Sequence, residues 1–527
     1  MNKFKYLLIF FTFLFAGTAT YGQHLMSVPA QDTPTGENSS ALQVLGPIAG
    51  GNEKFLGCAY SSGQSANFHA YWNQITPENS SKWGSVEGTR NVMRWTEMDA
   101  AYNTAKKYGM LFKQHPLLWG AQQPAWMATL DTASQRMEIE QWFSLMAARY
   151  PDMEYIDVVN EPLHNAPNGM LPWGATTKNI DYAKALGGAG ATGWDWIITA
   201  FRMARKHFPN SKLILNEYSV INSSTETQKY IKIIKLLQAD SLIDGIGEQA
   251  HAFTTATTDA ATLKANLDAL GATGVPIYLT EMDVDGMTDL AQLKEMQRIF
   301  PLFWNHPAVK GITFWGFRVG LWRNDQKAYL INQNGTERPA MRWLKAFVND
   351  TLVKTQSITV TASNGSSTVK KVGETLSMTA QVLPANTTIP NVTWSVSPVG
   401  RATIDSNGLL KTLATGNVIV TATSWDGSGV KGTKIIVVTN ETTGIENQNL
   451  SNSINVYPNP AVNGKFTVQG IESIKRLELV NLVGDIVKTY HNLKQSSLDI
   501  EADVPKGVYV LRFFDDEKSG VKKIVIQ

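Results

Sequence analysis

Two short apolar runs each close on a glutamate, Tyr155-Ile-Asp-Val-Val-Asn-Glu161 and Ile277-Tyr-Leu-Thr-Glu281. Each reads as a buried parallel strand that delivers one carboxyl group to the C-terminal edge of a sheet. A pair of such acids is what cleavage of a sugar–sugar bond needs. One carboxyl must hold a proton for the leaving oxygen, and the other must be ionised to meet positive charge developing at the sugar carbon. A structural salt bridge is the bland alternative for each acid, and the shared strand-end context argues against it.

The elements that must carry these acids are legible around them. From residue 42 to residue 350 the chain alternates strand-like runs with longer amphipathic stretches. Strands are expected near Phe55–Tyr60, Gln74–Glu78, Leu111–Trp119, Tyr155–Glu161, Leu213–Tyr218, Ile246–His251, Ile277–Glu281 and Gly311–Phe317, with helices such as Thr96–Tyr108, Ala133–Arg149, Trp194–His207 and Ser224–Ala239. Eight βα units over about 300 residues suit a (β/α)8 TIM barrel. A doubly wound open sheet would share the alternation, but no glycine-rich phosphate loop follows the first strand.

On the barrel reading the polar residues share one end. Glu78, Asn79, His115, Asn160, Glu161, Gln249, His251, Glu281, Trp315 and Trp322 all fall at or just beyond the ends of expected strands. Buried polar groups need partners, and a common bowl supplies them. No histidine or carboxylate at zinc spacing accompanies His115, so it reads as a sugar contact, not a metal ligand. No cofactor is implied. Of the 15 tryptophans, 13 precede residue 350, a density that suits stacking on the apolar faces of pyranoses, although most single tryptophans are core residues.

At this point the chain resembles glycoside hydrolase family 10, the retaining endo-β-1,4-xylanases. The matching pieces are Ile75-Thr-Pro-Glu-Asn79 with Lys82-Trp83, His115-Pro-Leu-Leu-Trp119 with Gln122, and Val158-Val-Asn-Glu-Pro162. Gly245-Ile-Gly-Glu-Gln-Ala-His251, Thr280-Glu-Met-Asp283 and Phe314-Trp-Gly316 with Trp322 follow in family order. Any one motif is weak; the ordered set is specific. The resemblance implies that Glu161 is the general acid/base and Glu281 the nucleophile, with their carboxyl groups about 5–5.5 Å apart. The nearby anion favours the acid's proton until a covalent intermediate neutralises it. It further implies that Asn160 bonds the sugar's 2-hydroxyl and that His251, backed by Asp283, orients Glu281. Glu78, Asn79, Lys82, His115, Trp119 and Gln249 would line the non-reducing side of the cleft, between walls made by Trp315 and Trp322. The chain departs from the family where Gly120 stands in place of a second histidine, where Phe317–Trp322 replaces a polar run, and where residues 162–193 form an insertion carrying Trp173. These changes bear on substrate preference more than on reaction type.

Residues 355–440 turn to alternating Val, Thr, Ser and Gly, which predicts a small β-sandwich. They resemble bacterial immunoglobulin-like domains of group 2, and a spacer is favoured over a carbohydrate-binding module because only Trp394 and Trp425 occur. A polar linker, 441–453, leads to a second small all-β domain, 454–527, similar to C-terminal sorting domains read by the type IX secretion system. Residues 1–22 read as a signal peptide: Lys3 and Lys5 precede an apolar run too short to span a bilayer. The expected setting is therefore the exterior or cell surface of a Gram-negative bacterium, with xylan or a related β-1,4-linked polysaccharide and the secretion machinery as partners. The 47 basic and 45 acidic residues nearly balance, which argues against nucleic acid and anionic membranes. The single cysteine, Cys58, reads as a buried structural thiol. Two other readings remain open: a β-glucan-active enzyme of the same family, and a glycan-binding surface protein with a degenerate barrel.

Overall fold

Nine parallel segments follow the apolar runs: β1 (Phe55–Tyr60), β2 (Gln74–Pro77), β3 (Leu111–Gln114), β4 (Leu118–Trp119), β5 (Tyr155–Asn160), β6 (Lys212–Glu217), β7 (Gly245–Glu248), β8 (Ile277–Met282) and β9 (Val309–Phe314). The computed structural model describes residues 46–171, 178–440, 450–516 and 518–527. The expected signal peptide, Trp173 and most of the expected linker lie outside the described residues. β1 pairs with both β2 and β9, and β5 pairs with β3, β4 and β6, so the sheet closes on itself. Because β3 and β4 make one broken stave, the closed sheet is an eight-stave TIM barrel. The break falls at Pro116, which has no N–H for the ladder; Leu117 resumes the contact by donating to the Asp157 carbonyl at 2.9 Å.

Other strands end earlier than their apolar runs do. β5 stops at Asn160 because Glu161 adopts a φ of 55°, and β7 stops before Ala250, whose φ is 56°. Left-handed residues turn the chain out of the ladder and into the bowl. The helices match within a residue or so: Thr132–Arg149 starts on the Asp131 cap, and Asp195–His207 starts one residue later than expected. At the opposite end Phe55, Tyr155, Ile214 and Tyr278 form a separate buried cluster that plugs the barrel's N-terminal mouth. Cys58 is fully buried in β1. No described helix is long and apolar enough to cross a membrane.

The segment after the barrel forms two four-stranded sheets around Ile358, Val360, Leu410, Val418, Val420 and Ile436. This sandwich does not hang free on its connection. Ile389 is fully buried in the barrel's own core cluster, and Trp425 packs on the same cluster. Gln297 on the barrel donates to the Trp425 carbonyl at 3.4 Å, and Arg342 donates to Asn391 at 3.2 Å. The final segment makes a three-stranded and a four-stranded antiparallel sheet over a core that includes Phe466, Val468, Leu477 and Leu511.

Candidate active site

The barrel's C-terminal mouth opens into a cavity of about 620 Å³. Every residue singled out by its place in the sequence lines it: Glu78, Asn79, Lys82, His115, Trp119, Asn160, Glu161, Gln249, His251, Glu281, Trp315 and Trp322. Gln122, Asn165, Tyr218, Phe253 and Arg323 complete the lining. Glu161 and Glu281 thus face one hollow.

Glu281 is flanked by groups at or just beyond the ends of neighbouring strands. Its Oε1 accepts from Asn216 Nδ2 at 2.8 Å, and its Oε2 lies 3.4 Å from His251 Nε2. His251 Nδ1 is bonded to Asp283 Oδ2 at 2.7 Å. On the other side His115 Nε2 stands 3.8 Å from Oε1, and its Nδ1 bonds Asp157 Oδ2 at 2.8 Å. Lys113 donates to the same Asp157 oxygen, also at 2.8 Å. Burial alone would push the Glu281 carboxyl up, but His115, His251 and Lys113 outweigh it and hold its pKa at about 2. Burial likewise pulls His251 down, yet the Asp283 and Glu281 carboxylates raise it to about 10. Glu281 is therefore an anion against an imidazolium.

Glu161 sits on the turn that follows β5. The peptide groups of His164 and Asn165 both donate to its carbonyl, at 3.2 and 2.8 Å, which closes a tight loop around the left-handed residue. Its side-chain Oε1 accepts from Gln249 Nε2 at 2.9 Å, while Oε2 accepts from Trp119 Nε1 at 2.8 Å and from Asn165 Nδ2. Glu217, fully buried at the end of β6, clamps the loop from beneath. It accepts from Leu163 N at 2.7 Å, from Tyr218 N at 2.8 Å, and pairs with His164 Nδ1 at 2.9 Å. Burial raises the Glu217 carboxyl to about 7, even though His164 pulls it back.

Asn216, not among the residues singled out from the sequence, bridges Asn160 and Glu281, and its backbone carbonyl accepts from the Glu161 N–H at 2.8 Å. Its Nδ2 donates to Asn160 Oδ1 at 2.7 Å as well as to Glu281, and its Oδ1 accepts from Thr280 at 2.6 Å. The signal was present: Leu213-Ile-Leu-Asn216-Glu217 is another apolar run closing on polar residues. Lys82 reaches Asn79 and Gln122 at 2.9 and 2.7 Å and lies 5.1 Å over the Trp119 ring. Burial lowers its pKa, with Glu281, Glu78 and Glu161 opposing. Trp315 stands edge-on to His115 at 5.1 Å, and half-exposed Trp322 donates to Asp283 at 3.2 Å. Among the described residues no group of three or more His, Cys, Asp or Glu side chains could hold a metal ion. The set offers one fixed anion, a second carboxyl 8 % exposed to solvent, and polar and aromatic surface around both.

Comparison with known proteins finds matches for all three segments. Residues 49–347 match the model of Glycosyl hydrolase family 10, residues 354–435 that of the Bacterial Ig-like domain (group 2), and residues 455–527 that of the Secretion system C-terminal sorting domain. Endo-1,4-beta-xylanase B of Cellvibrio japonicus is 43% identical over 295 residues, 55% of this chain and 45% of that one. An endo-1,4-beta-xylanase of Agaricus bisporus is 29% identical over 233 residues, 44% of this chain and 65% of that one. The chain thus spans less than two thirds of the length of these relatives. Native xylanase 10B from Thermotoga maritima is 24% identical with a TM-score of 0.49, covering 57% of this chain and 97% of that one.

Proposed function

Since the chain belongs to glycosyl hydrolase family 10, we propose that it is a secreted endo-β-1,4-xylanase that hydrolyses internal bonds of xylan with retention of configuration. The observation that carries the reading is the opening of Glu161 and Glu281 on one cavity, with His251 3.4 Å from one Glu281 oxygen and His115 3.8 Å from the other.

In this mechanism Glu281 attacks the anomeric carbon while Glu161 gives its proton to the glycosidic oxygen, which leaves with the bonding pair. A covalent glycosyl–Glu281 ester results. Glu161, now a carboxylate, takes a proton from water as that water attacks the same carbon and releases Glu281. His251 orients the nucleophile. Asn160, steadied by Asn216, is suited to the 2-hydroxyl of the sugar being cleaved, where hydrogen bonds strengthen as positive charge develops. Glu78, Asn79, Lys82, His115, Trp119 and Gln249 serve the non-reducing side, and Trp315 and Trp322 give apolar walls. Residues 1–22 act as a signal peptide, and the C-terminal sorting domain engages a type IX secretion machinery for release or surface attachment.

Reducing-sugar release from xylan, β-glucan and mannan tests this directly. Release from xylan is expected. Release from β-glucan alone would move the substrate, and release from none would leave a glycan-binding surface protein.

A further inference from the structure

Gly120, where the family pattern has a histidine, lets a neighbouring backbone segment approach closely. Its N–H donates to the Asn165 carbonyl at 2.8 Å, and a Cβ built on it would stand 2.0 Å from that oxygen and 2.8 Å from the Ala166 carbonyl. Only glycine lets the 165–166 segment lie there. The segment leads out of the Glu161 turn, and its seating puts the Asn165 amide against Glu161 Oε2.

A carboxyl oxygen has two lone pairs. On Oε2 both are taken, one by Trp119 Nε1 and one by Asn165 Nδ2; Oε1 takes only Gln249 Nε2 and keeps one free. We propose that Asn165, seated by the absence of a side chain at Gly120, is a positioning residue that fills Oε2 and so confines the acid's proton to Oε1. The proton then leaves from one defined atom: the Oε1–H bond breaks, the glycosidic oxygen takes the proton and keeps the electrons of its bond to the anomeric carbon, and Glu161 is left a carboxylate. Without Asn165 the proton divides between two oxygens, and in this proposal only Oε1 serves the leaving group.

This inference rests on the acid role given to Glu161 above, and the experiment separates the two. The full chain and its Asn165→Leu variant, similar in size and without a donor, are assayed with xylan and with aryl β-xylobiosides of graded leaving-group acidity. The expected result is a selective loss in kcat/KM for xylan and poor leaving groups, at least the roughly twofold that an even division of the proton between the two oxygens gives, with little loss for the best leaving group, because only the former need the proton. KM for xylan should hardly move. Gly120→Ala, which displaces the 165–166 segment, should give the same selective loss, and the double variant should be no worse than the more damaged single one. An equal loss across all leaving groups, or wild-type rates in both variants, overturns the proposal. An unmodified chain with no hydrolysis of any glycan overturns the enzymatic reading itself.

Discussion

His251 Nε2 lies 3.4 Å from Glu281 Oε2, with Asp283 bonded to the far side of the imidazole ring. The relay is buried throughout, so the charge on each group fixes the charge on the next. Asp283 and Glu281 keep His251 protonated up to about pH 10, and the imidazolium in turn helps keep Glu281 ionised down to about pH 2. Removing the cation by His251→Asn takes away a force that favours the charged carboxylate, while the effect of burial remains. The pKa of Glu281 must rise, so the acid limb of the kcat/KM profile should move to higher pH. An acid limb that stays in place in His251→Asn contradicts this coupling.

Glu161 is assigned the opposite task, and leaving-group chemistry isolates it. Glu161→Ala should slow xylan by roughly 10²–10⁴-fold, the usual worth of a general acid. In the glycosylation step, aryl glycosides with acidic leaving groups should lose far less. Single-turnover kinetics on both substrates measures the contrast. Matching losses would remove Glu161 from the acid's role.

Ile389 sits in the sandwich segment yet is wholly enclosed by the barrel core cluster. Truncation there leaves a cavity in the barrel's flank, so Ile389→Ala should destabilise the barrel by about 2–5 kcal/mol. Calorimetric unfolding should report this as a lower barrel transition. A barrel transition unchanged by the substitution would mean that the two segments are energetically independent.

Much of the site was legible because a barrel strand end is a one-dimensional signal: an apolar run followed by a polar residue puts that residue in the bowl. Glu161, Glu281, Gln249 and His251 follow this rule, and Asn216 follows it too, near the end of β6. The rule says nothing about loops. Asn165, Phe253 and Arg323 reach the cavity through turns set by left-handed residues and close backbone contacts, which leave no periodicity. Trp119 and Gln249 were legible as cavity residues, but not as hydrogen-bond donors to Glu161, because that depends on the turn at Glu161. The same limit explains the third strand, read as continuous across Pro116, and Ile389, whose burial comes from docking between segments and leaves no trace in the local pattern.

The central proposal is that Glu281 donates the electron pair that bonds the anomeric carbon. The direct test is Glu281→Ala, assayed for xylan hydrolysis and, in parallel, for binding of xylooligosaccharides by titration calorimetry. Turnover should vanish while affinity remains within a few-fold of wild type, since the hydrogen-bonding and aromatic surface is untouched. Hydrolysis at the wild-type rate by Glu281→Ala would contradict the assignment outright.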